Sequence, residues 1–128
     1  MSDSHKNNLA REGEALAEQY LRKKGYHVLE RNYRVPRGEI DLIADHRGVI
    51  CFVEVKTRKS LKQGAPEEAI SHKKQRKVAE VALQYLKKKK LLKRKARFDV
   101  VAITKDSSGK DNVKIIANAF ELSDTFAY

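Results

Sequence analysis

Between Gly38 and Arg58 the chain reads GEIDLIADHRGVICFVEVKTR, an almost unbroken alternation of the kind that marks a β-hairpin. The predicted strands run from about Glu39 to Ala44 and from Val49 to Thr57, joined by the polar turn DHRG. One phase carries Ile40, Leu42, Ala44, Val49, Cys51, Val53 and Val55, a continuous apolar surface. The other carries Glu39, Asp41, Ile43, Ile50, Phe52, Glu54 and Lys56, apolar near the turn and charged at the far end. Both faces are therefore expected to be covered, as in a sheet packed between helices.

The flanking segments supply the covers. NLAREGEALAEQYLRKKGY has helical periodicity and ends near Gly25, with Leu9, Gly13, Leu16, Ala17, Tyr20 and Leu21 as its apolar arc. Glu14 sits at the edge of that arc, so it either faces solvent or points along the surface on which the helix packs. HVLERNYRV is a strand, closed off from the hairpin by Pro36 and Gly38. After RKSLKQGAPEE a second helix is predicted from about Glu67 to Leu92, with a break near Ser71, on a stripe of Ile70, Val78, Ala82, Tyr85 and Leu86. Gln75 projects from the middle of that stripe, and an amide facing a core needs partners. RFDVVAIT and VKIIANAF are strands either side of the turn KDSSGKDN. The order α-β-β-β-α-β-β, with a crossover helix between the third and fourth strands, predicts a mixed α/β sheet with one parallel pair. A length of 128 residues suits one domain, its core spanning about residues 9–120.

Composition narrows the function. Lys and Arg number 28 against 17 Asp and Glu, a net charge of +11, and such an excess attracts polyanions with a salt-dependent affinity. The densest run is KKKKLLKRKAR, Lys87 to Arg97. The apolar stretches are too short and too interrupted for a membrane span, and the N-terminal segment lacks an apolar signal core. With a lone Cys51, read as a buried hydrophobe, this fits a reducing cytoplasm.

The charged end of the hairpin carries the candidate chemistry. Glu54 and Lys56 lie about 7 Å apart on one face, and register conservation brings Asp41 opposite or diagonal to Glu54. Close carboxylates share protons or hold a cation, and oxygen ligands without His or Cys suit Mg²⁺ or Mn²⁺. Lys56 could stabilise charge developing on phosphorus. The competing account is a solvated ladder of ion pairs, but Ile43, Ile50 and Phe52 on the same face speak against it.

Asp41 followed after twelve residues by Glu54-Val55-Lys56 matches the D…(D/E)xK pattern of the PD-(D/E)xK nucleases. Together with GEALAEQYL, GEIDLIA, FVEVKTR and RFDVV, the chain from about Gly13 to Phe120 resembles the YraN family of predicted endonucleases, related to Holliday-junction resolvases. The resemblance implies a restriction-endonuclease-like core. It implies Asp41, Glu54 and the Val55 carbonyl as metal ligands, Lys56 as catalytic lysine, Glu14 completing the site, and Gln75 approaching it. Glu39, in the GEID signature, either binds metal or holds a basic neighbour. The proline that often precedes the first aspartate is Ile40 here, which removes no ligand.

The expectation is a cytoplasmic Mg²⁺- or Mn²⁺-dependent endonuclease acting on duplex or branched DNA. Arg58, Lys59, Lys73, Lys74 and the Lys87–Arg97 block would grip phosphates. A homodimer is the assembly that resolvase relatives suggest; no membrane contact is expected. The alternative is a non-catalytic nucleic-acid-binding module on the same scaffold, and a ribonucleoprotein component is a third. Neither explains carboxylates that repel phosphates.

Overall fold

The computed structural model describes residues 2–58 and 70–120, with side chains from Arg11 onward. Helix α1 (Ser2–Lys23) precedes strands β1 (His27–Val35), β2 (Gly38–His46) and β3 (Val49–Arg58); helix α2 (His72–Lys88) leads to β4 (Ala96–Lys105) and β5 (Asp111–Phe120). The five strands form one sheet in the order β1-β2-β3-β4-β5. Only β3 and β4 pair in parallel, as the intervening helix requires, and the other pairs are antiparallel. The result is the mixed α/β sheet with a helix on each face that the element order predicts.

Each helix seals one face. Ala17 and Leu21 of α1 pack with Leu42, Ala44, Cys51, Val53, Val101 and Ile103. Val78, Ala79, Val81, Ala82, Tyr85 and Leu86 of α2 pack with Ile40, Ile43, Ile50, Phe52 and Phe98. Cys51 is fully buried, and burial pushes its thiol up to about 12, so it behaves as the small hydrophobe expected.

Three local expectations are corrected. The β2–β3 turn is two residues, Arg47 and Gly48, both at positive φ, rather than four. The ladder therefore extends to His46 opposite Val49, while the Asp45 carboxylate accepts the Gly48 N–H at 2.9 Å. Helix α2 closes before Leu92, and the break expected near Ser71 is its start. Ser71 caps it by accepting the Lys74 N–H at 3.1 Å, so it begins at His72, and residues 67–69 lie outside the described residues. It closes at Lys88 because Leu91 N–H reaches back to Leu86 C=O and Lys90 N–H to Lys87 C=O, with Lys90 at φ 58°. That is a Schellman ending, and α1 ends the same way through Gly25 and Tyr26.

The third correction concerns faces. Ile40 packs on the α2 side with Ile43, not with Leu42 and Ala44. Its β1 partner Tyr33 packs there too, whereas Arg31, the partner of Leu42, reaches Glu18 on α1. Between those pairs stand Asn32 and Asp41, and Asn32 is left-handed at φ 48°. A left-handed residue breaks the period-two rule, so both strands exchange faces at this point.

Candidate active site

That exchange organises the charged end of the hairpin. The last backbone pair of β2 with β3 is Leu42 with Val53, and one step further the Asp41 carboxylate accepts the Val55 N–H at 2.8 Å. A side chain thus takes the place of a backbone acceptor where the two strands part. With Ile40 turned toward α2, the neighbouring Glu39 turns toward α1. Glu14, Glu39 and Asp41 meet there, each offering a carboxylate oxygen within 4.8 Å of the other two.

Glu14 reaches this point because α1 sits very low on β3. A Cβ on Gly13 would lie 2.6 Å from the Thr57 hydroxyl, so only glycine permits this approach without a shift. Gly13, counted in the apolar arc from the sequence, serves there as the point of close contact.

The electrostatics follow from crowding. Burial is the main force pushing Asp41 up to about 7, aided by the carboxylates of Glu54, Glu14 and Glu39 and opposed by the Val55 N–H. Glu54 is also raised by burial, with Lys74 and then Lys56 pulling it back. The Lys56 ammonium stands 3.8 Å from the Glu54 carboxylate and Lys74 stands 3.9 Å from it. Glu39 accepts from Arg34 at 2.8 Å, but that guanidinium is 74% exposed and screened by water. Glu39 therefore both joins the carboxylates and holds a basic neighbour.

The other anticipated residues are placed as follows. Gln75 is half-buried and donates to the Ile70 carbonyl at 3.1 Å, fastening the chain that enters α2. Val55 offers its N–H to Asp41, as above. Arg58 follows Lys56 on the same strand phase, its Nε buried without a hydrogen-bond partner among the described residues. Lys73 is exposed on the first turn of α2 beside Lys74, and Lys59 lies outside the described residues. Lys74, anticipated as a phosphate contact, is also a direct neighbour of Glu54.

A donor set of carboxylates in this arrangement fits a hard divalent cation. Three carboxylate oxygens lie within 4.8 Å of one another, a fourth carboxylate and a lysine stand nearby, and among the described residues no soft ligand joins the group. A groove of about 470 Å³ opens from Glu14 along α1 and β1, lined also by Arg11, Glu18, Arg31, Asn32 and Leu42.

A second polar cluster, not foreseen from the sequence, lies toward the other end of the hairpin. Asp99 is fully buried and accepts from Arg97 Nε at 3.0 Å, Tyr26 Oη at 3.2 Å and the Asn118 N–H at 2.9 Å. Arg97 also donates to Tyr26 Oη, and its Nη2 lies 3.0 Å from His46 Nδ1; the His46 ring stacks on Tyr26. The signal available was a lone Asp inside the apolar run RFDVVAI.

The fold and this cluster define an α/β domain with an acidic, lysine-flanked site at the point where two sheet strands separate. The family model described as "Uncharacterised protein family UPF0102" matches residues 13–103, and the chain belongs to that family, the YraN family. A UPF0102 protein of Trichlorobacter lovleyi is 44% identical over 112 residues, covering 87% of this chain and 88% of the relative. One from Persephonella marina is 45% identical over 112 residues, covering 88% and 92%; one from Geobacter metallireducens is 44% identical over 119 residues, covering 93% and 97%. Among the described residues no helix is long and apolar enough to cross a membrane.

Proposed function

We propose that the protein is a divalent-cation-dependent endonuclease that hydrolyses phosphodiester bonds in duplex or branched DNA. The observation that carries this reading is the convergence of Glu14, Glu39 and Asp41 within 4.8 Å beside Glu54 and Lys56. Half-buried carboxylates held this close repel one another, and a cation relieves that repulsion far better than water does. When bound, Mg²⁺ or Mn²⁺ would polarise the phosphate and lower the pKa of the attacking water.

Glu14, Glu39, Asp41 and Glu54 are the residues that would hold the cation, with the Val55 carbonyl as a further oxygen. Lys56 brings a positive charge to the same edge, where it would pair with the non-bridging oxygens as negative charge builds on phosphorus. In the net reaction a water oxygen bonds to phosphorus, the P–O bond to the leaving oxygen breaks, and that oxygen gains a proton. Arg58, Lys59 and Lys73 would hold flanking phosphates without reading bases.

One observation favours a non-catalytic nucleic-acid-binding module instead. Glu54 is bracketed by two lysines and stands outside the three-carboxylate group. Cleavage of linear, nicked and four-way-junction DNA with Mg²⁺ or Mn²⁺, beside Asp41→Asn and Lys56→Ala, separates the two. Metal-dependent cutting lost in both variants supports the nuclease. Tight DNA binding with no cutting of any substrate, and no uptake of divalent ion, defeats it.

A further inference from the structure

The lysine-rich segment after α2 is an ordered turn, not a loose tail. Its helix ends on the Schellman bonds described above, and Arg94 N–H bonds Leu91 C=O at 2.9 Å. Arg94 then clamps the segment to the β2–β3 turn, donating to Gly48 C=O at 2.8 Å and to the Asp45 carboxylate at 2.8 Å. The Lys95 carbonyl accepts the Ile50 N–H at 2.8 Å. Lys87, Lys88, Lys89, Lys90, Lys93 and Lys95 are all exposed, and the acidic pairing of this turn runs through Arg94 alone among the described residues. Six exposed lysines are therefore carried by one short ordered turn, and among the described residues none of them is paired with an acid. Their mutual repulsion destabilises the turn unless a polyanion relieves it.

Helix α2 connects this turn to the carboxylates. Lys74 in its first turn lies beside Glu54, and the turn begins at the other end of this 17-residue helix. At 1.5 Å per residue the whole helix is about 25 Å long, the length of about 7 base pairs of duplex. Lys73, Arg76, Lys77, Gln84 and Lys87 are exposed along the way. The single acid of α2, Glu80, is paired with Arg37 at 3.5 Å. The outer side of the helix is thus basic or neutral from end to end.

We propose that the Lys87–Lys95 turn is a second phosphate-binding site, and that it grips a DNA duplex arm running along α2 from the carboxylate site. This rests on the reading of the protein as DNA-acting and extends it to the direction and minimum length of the substrate. An arm shorter than about 7 base pairs beyond the site cannot engage both ends of α2. The anchor adds affinity by counterion release and carries no sequence information.

The test is fluorescence anisotropy of the full chain in EDTA, across a salt series, with a duplex of about 24 base pairs and a shorter one of about 5 base pairs closed by a hairpin loop, below the span of α2. Lys88→Gln/Lys89→Gln/Lys93→Gln is compared with Lys23→Gln/Lys110→Gln/Lys114→Gln, which removes the same charge elsewhere. For the longer duplex the first variant should bind about 10–100-fold more weakly near 0.1 M salt, with a log–log salt slope shallower by about 2–3. The second should stay within about threefold of wild type by the same reckoning. The difference between the two variants should shrink with the shorter duplex. Equal losses in both variants at both lengths overturn the anchor while leaving DNA action intact. Wild type that binds neither duplex removes both proposals. Turn-dependent binding to vesicles containing phosphatidylserine, without turn-dependent DNA binding, would assign the turn to a membrane surface and overturn the anchor.

Discussion

Replacing Asp41 by Asn should make the cation-free protein more stable at alkaline pH, although it removes a central residue of the site. The folded chain holds the Asp41 proton up to about 7, against 3.8 for a free aspartate, chiefly through burial. Between those values the folded protein binds a proton that the unfolded chain has released. Stability from this group is therefore fully present below about pH 4, is lost as pH rises toward 7, and stays lost above it. The displacement corresponds to about 4 kcal/mol. Asn keeps an oxygen for the Val55 N–H, but a neutral acceptor is weaker than a charged one by about 1 kcal/mol. Glu54 retains its own burden of burial, so we expect a net gain of about 2 kcal/mol at pH 8 and a small loss at pH 4.5. For a chain of this size the gain raises Tm by about 6–10 °C. The assay is urea and thermal unfolding of both proteins in EDTA from pH 4.5 to 9, reading the difference between them so that other titrating groups cancel. Parallel curves, with Asp41→Asn equally destabilised at every pH, would refute the reasoning. Adding Mg²⁺ at pH 8 should then stabilise wild type more than the variant, by about 2.7 kcal/mol at a hundredfold excess over Kd.

Gly13→Ala should weaken Mg²⁺ binding several-fold in calorimetry, because the new Cβ meets the Thr57 hydroxyl at 2.6 Å and lifts Glu14 from its place. Adding Thr57→Ala should restore binding and leave the helix about 1 kcal/mol more stable than wild type, since alanine is the better helix former; failure of the second change to rescue would dissociate Gly13 from the site. Asp99→Ala should lower unfolding stability in urea by about 2–4 kcal/mol, because half-buried Arg97 loses its acid while the Tyr26 hydroxyl and the Asn118 N–H lose their buried acceptor. A loss under about 1 kcal/mol would mean that Tyr26 and His46 satisfy Arg97 by themselves. Lys90→Gly should raise Tm, relieving a left-handed lysine at φ 58° by about 1 kcal/mol, and an unchanged or lower Tm would show that the lysine side chain contributes there.

Much of this was legible because period-two alternation fixes faces wherever a strand stays regular. The boundaries of β1 follow from HVLERNYRV, and the parallel β3–β4 pair follows from a helix placed between two strands. The nearness of Asp41, Glu54 and Lys56 was legible for the same reason. What alternation could not reveal was its own interruption. Asn tolerates φ > 0 better than most residues, but nothing in ERNYRV says that Asn32 uses that freedom, so Ile40 was assigned to the wrong face and the side to which Glu39 turns stayed hidden. The Asp99–Arg97 pair was missed because its partners Tyr26, His46 and Asn118 come from separate segments that only the folded sheet brings together. Lys74 was visible as a charge on a helix, whereas its approach to Glu54 depends on where Ser71 starts that helix.

The interruption also explains why a cluster of acids can exist inside an otherwise apolar hairpin. In a regular ladder Glu39 and Asp41 would share a face with Glu54, stacked at strand spacing and facing α2, whose core stripe offers them no counter-charge. The exchange of faces at Asn32 and Asp41 lets Ile40 fill that side and sends Glu39 to the side where Gly13 admits α1 and its Glu14. Asp41 itself stays at the parting point, tied to Val55 and near both groups. Glu54 remains with Lys56 and Lys74 on the α2 side. Acids thus arrive from three elements and lysines from two, around a gap that pairing of β2 with β3 would otherwise close. The site is a consequence of where the sheet stops being regular, and the Gly13 contact and the Asn32 conformation are as much part of it as the carboxylates.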